Sequence, residues 1–117
     1  MALREKQLNS ILNAQLDTVE RKQGVVYVML EPIRAGTTFD FPYCRIEAPW
    51  DAILAFVDRD PLANWGHSSR YVLINRDTGD AKSVSARFPP FQRAYGRHWR
   101  VFYKAPGVPD RVLAVPK

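Results

Sequence analysis

The spacing of the apolar residues changes at Gly24, and this change limits the possible folds more than any other feature of the sequence. Before Gly24, apolar side chains recur with the period of a helix that buries one face. Gly24 is predicted to end this helix in the left-handed conformation, which glycine adopts at small cost. The helix is therefore predicted over residues 4–23, with an apolar face of Leu8, Ile11, Leu12, Leu16 and Val19.

After Gly24, short runs rich in β-branched and aromatic residues, separated by proline or glycine, predict strands. Pro42 lies inside the second run and favours a sheet edge or a bulge there. In the segment 50–58, apolar residues fall at helical spacing, which predicts a short second helix. The predicted strands cover residues 25–30, 38–47, 70–75, 81–88, 98–104 and 111–115.

These elements predict an α+β fold, in which an N-terminal amphipathic helix and one short second helix pack on a mostly antiparallel sheet of about six strands. The chain has 117 residues, of which 46% are hydrophobic. These values predict one globular domain over residues 1–117, with a helical N-terminal segment at 1–23, and exclude a disordered chain. No apolar stretch approaches the ~18 residues of a membrane span, so no membrane partner is predicted.

The first 24 residues carry charges throughout, which argues against a secretory signal. The single cysteine, Cys44, cannot form an internal disulfide, and the default expectation is therefore a reducing, cytoplasmic location. A nucleophilic Cys44 would have to be exposed and have a lowered pKa. The alternative is that Cys44 is a small, buried apolar residue.

No common catalytic motif occurs: the sequence lacks a phosphate-binding glycine loop, a zinc-protease helix, a pair of closely spaced cysteines and a nucleophile elbow. Asp58, Asp60, Asn64 and His67 have oxygen and nitrogen ligands in a spacing partly like that of a calcium loop. The final carboxylate that such a loop needs is missing, and the residue types also suit a turn. We therefore predict no metal and no cofactor.

The positive charge is concentrated near the C-terminus. The formal net charge is +5, and residues 81–117 hold eight basic side chains against one acid, Asp110. Residues 35–80 hold four basic and seven acidic side chains. The C-terminal third therefore predicts an anion-binding surface, unless the acidic middle of the chain neutralises it in the fold.

Two segments supply candidate binding residues. The loop 64–70 joins tryptophan, histidine and arginine before a strand, a composition typical of interaction sites, although Trp65 could also fill the core. In strand 98–104, basic residues share the face opposite Trp99, and the preceding loop adds two arginines. The predicted binding residues are Asn64, Trp65, His67, Arg70, Arg93, Arg97, Arg100 and Lys104, with His98 beside them in the basic row.

These features predict a small, basic, non-catalytic binding or regulatory domain that recognises an acidic protein surface or another polyanion. The alternative is a metal-independent ribonuclease-like enzyme, or another enzyme directed at nucleic acid, in which His67 and His98 act as the general base and general acid. In a third hypothesis, the N-terminal helix mediates assembly into an oligomer.

Overall fold

The computed structural model describes residues 4–29, 31–41, 43–64, 66–90 and 98–114. Two α-helices and seven strands lie in these segments, and the strands form two separate sheets. The elements are α1 (Glu5–Gln15), α2 (Thr18–Gln23), β1 (Val25–Met29), β2 (Thr38–Phe41), β3 (Cys44–Glu47), β4 (Ala52–Asp58), β5 (Ser69–Asn75), β6 (Ala81–Ala86) and β7 (Trp99–Lys104).

The larger sheet has five strands in the order β6-β5-β4-β1-β7, and each neighbouring pair is antiparallel. The strands predicted from the runs at 25–30, 70–75, 81–88 and 98–104 are all present. Strands β6 and β7 form the two edges of this sheet. The predicted α+β class, with two helices packed on a mostly antiparallel sheet, is confirmed.

One face of the larger sheet packs against the N-terminal helical segment. Leu8, Leu12 and Leu16 are buried there against alternate residues of β1, β4 and β5, among them Val26 and Val72. The apolar face predicted from the helical period is thus covered by the protein's own sheet. Burial of this face, rather than the helix propensity of a short segment, accounts for most of the helical stability.

The other face of the sheet packs against the β2–β3 hairpin. Phe39, Phe41 and Ile46 of the hairpin are buried in this second core. The ring of Phe41 stacks on that of Tyr71 in β5, with centroids 4.9 Å apart. The prediction of one strand over 38–47 is wrong: the segment forms two antiparallel strands with a turn between Phe41 and Cys44. Pro42 lies outside the described residues.

The predicted helix over 50–58 is also wrong, because residues 52–58 form β4 at the centre of the sheet. Both neighbours of β4 pair with it, and six of its seven residues are buried. A strand that is covered on both faces needs apolar residues at odd and even positions, so it loses the alternation by which strands are recognised. Its apolar residues then fall at helical spacing by coincidence.

The predicted N-terminal helix is interrupted at residues 16 and 17. Asp17 caps α2: its side chain accepts a hydrogen bond from the backbone N–H of Glu20, and the Glu20 carboxylate accepts one from the backbone N–H of Asp17. This reciprocal capping box starts a new helix within the predicted one. The signal was therefore present in the sequence as Asp-Thr-Val-Glu.

Gly24 ends α2 as predicted, but not in the left-handed conformation, because its φ is −90°. A Cβ atom at this position would lie 2.7 Å from the carbonyl oxygen of Glu20 and 3.0 Å from that of Asp58. Glycine is therefore required here by the close approach of two backbone segments. The predicted final strand over 111–115 is wrong for its described residues, 111–114, because Asp110–Val112 form a turn of 3₁₀ helix; Val115 lies outside the described residues.

Candidate functional site

His67 is held inside the protein by hydrogen bonds from both ring nitrogens. Nδ1 lies 2.8 Å from the carbonyl oxygen of Asn64, so it carries a proton and donates. Nε2 lies 2.7 Å from Oδ1 of Asp58, and the side chains of both residues are nearly buried. Burial raises the pKa of Asp58, and the hydrogen bond with His67 opposes this shift. The imidazole thus has no nitrogen left to take a proton from a substrate.

His98 lies far from His67. It precedes β7 and lies 3.2 Å from the carboxylate of Glu31. In the sheet register, Met29 at the end of β1 pairs with Trp99, whereas Val25 at its start pairs with Asp58, the partner of His67. Val25 and Met29 lie about 13 Å apart along β1, so the two histidines lie near opposite ends of this strand. This placement does not favour a shared acid–base site for the ribonuclease alternative.

The described members of the predicted basic row each have a carboxylate nearby. Nζ of Lys104 lies 3.0 Å from Asp110, and a guanidinium nitrogen of Arg100 lies 3.9 Å from Glu5. His98 pairs with Glu31 as described above. Arg93 and Arg97 lie outside the described residues. Each described member of the row thus has a carboxylate within 4 Å, although the contact of Arg100 with Glu5 is long and exposed.

Arg70 belongs to a buried network of charges. Its guanidinium donates to both carboxylate oxygens of Glu20, at 2.9 and 3.0 Å, and to the hydroxyl of Ser83 at 2.6 Å. Glu20 is only 1% exposed, and Arg59 lies 3.2 Å from the same carboxylate. Arg59 also donates to Asp17 at 2.8 Å. Arg70 therefore ties β5 to the start of α2 and is already saturated by internal partners.

The part of the 64–70 loop that remains available is its second half, where Ser68 and Ser69 line a cavity of about 480 Å³. Asn64 is exposed, and its backbone carbonyl holds His67. Trp65 lies outside the described residues. The cavity is bounded on its other sides by the end of β6 and by the β2–β3 turn. The described residues that line it are Tyr43, Ser68, Ser69, Ser85, Ala86, Arg87 and Phe88.

Tyr43 forms one wall of this cavity and is 94% exposed. Its φ is 56°, in the left-handed region that is unfavourable for a bulky side chain. Its ring contacts that of Phe88, with centroids 5.1 Å apart and the planes tilted by 42°. An exposed aromatic residue in a strained turn is typical of a binding site. A ring that stays exposed to water buries little apolar area and therefore contributes little to folding stability.

Arg87 and Ser69 are two of the polar residues that line the cavity. The guanidinium of Arg87 donates to the carbonyl of Gly66 at 3.0 Å and has no carboxylate partner among the residues that the structure describes. The hydroxyl of Ser69, a residue that is 3% exposed, has no hydrogen-bond partner within the same residues. A buried hydroxyl of this kind costs free energy unless a ligand or water satisfies it.

Sequence reasoning missed Tyr43, Arg87 and Phe88. Tyr43 looked like a strand residue because the turn after Phe41 was not recognised, and Arg87 and Phe88 looked like the end of a strand. Pro89 and Pro90 were the available signal, because two consecutive prolines end a strand and leave the residues before them at a sheet margin.

The residues considered for metal binding and for nucleophilic catalysis lie in surroundings that do not favour either role. Within the described ranges, no three histidine, cysteine, aspartate or glutamate side chains are placed to hold a metal ion. Oδ1 of Asp58 accepts from the backbone N–H of Asp60 as well as contacting His67. Cys44 is half-buried, and burial raises the pKa of its thiol, which disfavours the thiolate that a nucleophile requires.

The fold and the site define an α+β domain with a small, mixed aromatic and polar cavity beside one sheet edge. No protein-family model matches this chain, and neither the curated proteins nor the solved structures contain a significant match to it. None of the helices in the described segments is long and apolar enough to cross a membrane.

Proposed function

We propose that this protein is a non-catalytic binding domain that recognises an acidic segment of another protein at the cavity between Tyr43 and Arg87. Two features of the cavity together carry the proposal. One is the exposed ring of Tyr43 on a strained backbone, and the other is an arginine without a carboxylate partner among the described residues. Tyrosine and arginine are the residue types that most often dominate the affinity of protein interfaces.

Charge favours an acidic partner. The described part of the lining holds one formal charge, that of Arg87, and no carboxylate. Lys82, exposed on the adjoining strand β6, also lacks a carboxylate within the described residues. An acidic side chain that reaches Arg87 would form a charge-assisted hydrogen bond, while an apolar neighbour packs on the exposed side of the contacting Tyr43 and Phe88 rings.

The position of the cavity favours an extended segment. It lies at the end of β6, which is an edge of the five-stranded sheet and pairs only with β5 among the described strands. An edge strand presents backbone N–H and C=O groups to which a further strand can add. A segment bound along β6 would then place its side chains over Ser85 and Arg87.

The test is fluorescence anisotropy with a labelled peptide of about ten residues that alternates glutamate and valine, a length sufficient to cover β6. We expect saturable binding that falls about tenfold in Arg87→Gln, because a charge-assisted hydrogen bond contributes about 1.5 kcal/mol. The matched control is Arg34→Gln, which removes an exposed arginine from the turn before β2. Hydrogen exchange should slow in residues 81–86 when the peptide binds.

Two results would contradict this function. The first is equal binding of a peptide in which lysine replaces glutamate. The second is tighter binding of a single-stranded RNA at the same cavity, lost in Arg87→Gln, which would assign the site to nucleic acid.

A further inference from the structure

A second cavity, of about 410 Å³, lies between the start of α1 and the larger sheet. Three of the six described residues that line it are arginines: one precedes α1, one follows β5 and one lies near the start of β7. The other three are one glutamate and two aliphatic residues. The described residues of the lining are Arg4, Glu5, Leu8, Ile53, Arg76 and Arg100.

The arginines of this cavity are weakly neutralised. Arg100 lies 3.9 Å from Glu5, whose side chain is 78% exposed, and such a solvent-exposed pair contributes little. The guanidinium groups of Arg4 and Arg76 have no carboxylate partner among the described residues. Among the described residues, three arginines and one glutamate therefore line a common cavity.

This cavity is separate from the proposed peptide site. Ile53 lies near the start of β4, whereas Asp58 at its end pairs with Ser69 of the first cavity. Leu8 and Ile53 also belong to the helix-covered core, while Ala86 packs against the hairpin-covered core. The two cavities thus lie at opposite ends and on opposite faces of the larger sheet.

We propose that the second cavity binds a small, multiply charged phosphate compound such as a pyrophosphate. Arginine is the residue best suited to this chemistry, because its planar guanidinium donates two parallel hydrogen bonds to phosphate oxygens. Arg4, Arg76 and Arg100 line one cavity and lie on three different segments of the chain, instead of forming a row along one strand. That arrangement fits a compact anion, whereas an extended nucleic-acid backbone needs a row of cations that tracks successive phosphates.

The test is isothermal titration calorimetry of the full chain with inorganic pyrophosphate. We expect saturable binding that weakens about tenfold in Arg76→Gln, since one charge-assisted contact is removed. Arg45→Gln is the matched control: it removes an arginine that is exposed on the hairpin, and binding should stay unchanged. Arg87→Gln should also leave pyrophosphate binding intact, which separates this site from the peptide site.

A second pair of variants tests the role of Glu5. Glu5→Gln should tighten binding several-fold, because it frees Arg100 and removes the repulsion between a carboxylate and the bound anion. Glu47→Gln adds the same charge on the hairpin and should change nothing.

The proposal is overturned if pyrophosphate does not saturate the protein, or if each control variant changes binding as much as its partner does. It is also overturned if single-stranded RNA displaces pyrophosphate and loses affinity in Arg76→Gln, since the site would then serve nucleic acid. Thermal unfolding of every variant establishes that the lost binding is not a loss of the fold.

Discussion

At the scale of single residues, Tyr43 combines an unfavourable backbone with an exposed ring, and folding alone explains neither. A tyrosine in the left-handed region costs about 1–2 kcal/mol relative to glycine. The ring of Tyr43 contributes few buried contacts, because the residue is 94% exposed and the ring contact described for it is with Phe88. If the ring serves binding, then stability and binding should respond differently to its removal.

Replacing Tyr43→Gly tests this separation. Relief of the strained φ of 56° should offset the lost ring contact and the greater freedom of glycine in the unfolded chain. We therefore expect the free energy of unfolding, measured in urea, to change by less than about 1 kcal/mol. Binding of the acidic peptide should weaken about tenfold.

Tyr43→Phe is the control for this variant, because it keeps the ring and the strain and should keep most of the binding. A loss of several kcal/mol in Tyr43→Gly would show instead that the ring supports the fold. Folding would then explain the ring, and the proposed peptide site would no longer have the aromatic residue on which it depends.

The residues marked by sequence alone show why side-chain type does not reveal side-chain use. His67 and Arg70 have the chemistry of a binding loop, and yet both are engaged by buried carboxylates, Asp58 and Glu20. Those carboxylates lie 9 and 50 residues away along the chain. Pairings at such separations depend on the tertiary fold, and no local pattern encodes them.

At the scale of elements, the secondary-structure predictions succeeded where one face of a segment is exposed to solvent, and they failed where both faces are buried. Strand β6 alternates visibly because one side is exposed, and the hairpin with β5 follows from the turn at 76–80. Strand β4 shows no alternation because it is central. The cavity at Tyr43 was missed for a related reason, since it forms where a turn from one sheet meets the margin of another.

The cap of α2 gives a pH dependence with a definite sign. The hydrogen bond from the backbone N–H of Glu20, helped by the charge of Arg59, lowers the pKa of Asp17 below its ordinary value of 3.8. Because the folded-state pKa is the lower one, the stabilisation by Asp17 is fully present above pH 3.8. It is lost as the pH falls through the lowered folded-state pKa.

Replacing Asp17→Asn should remove this pH-dependent part and keep a helix cap, since asparagine caps as well as aspartate. We expect the variant to be less stable than the parent near neutral pH. The difference in unfolding free energy should shrink below pH 3.8, as measured by urea unfolding at a series of acidic pH values.

Asp17→Ser, which also caps without a charge, should behave in the same way. A difference that stays constant through the acidic range would mean that the charge of Asp17 contributes nothing and that only the geometry of the cap matters.

At the scale of the whole molecule, the sheet is covered on both faces, by the helical segment on one and by the hairpin on the other. The helical segment therefore completes a core of its own chain. From the sequence alone, the apolar face of this segment is a candidate surface for oligomer assembly. In this structure the face packs against the sheet. Among the described residues of that face, only Val19 remains exposed.

This arrangement predicts that the helices and the sheet unfold together, and Leu12→Ala tests it. Leu12 is 1% exposed and packs against the sheet, so the substitution should lower the free energy of unfolding by about 3 kcal/mol. Circular dichroism reports mainly on the helices, whereas tryptophan fluorescence reports on the three tryptophans, of which Trp99 and Trp50 pack in the core on the opposite face. Both transitions should shift to the same lower urea concentration.

Val19→Ala, at an exposed position of α2, should shift neither transition by more than about 0.5 kcal/mol. If Leu12→Ala instead moved the helix signal and left the tryptophan signal unchanged, the N-terminal segment would be a separate folding unit, and its apolar face could be released to a partner.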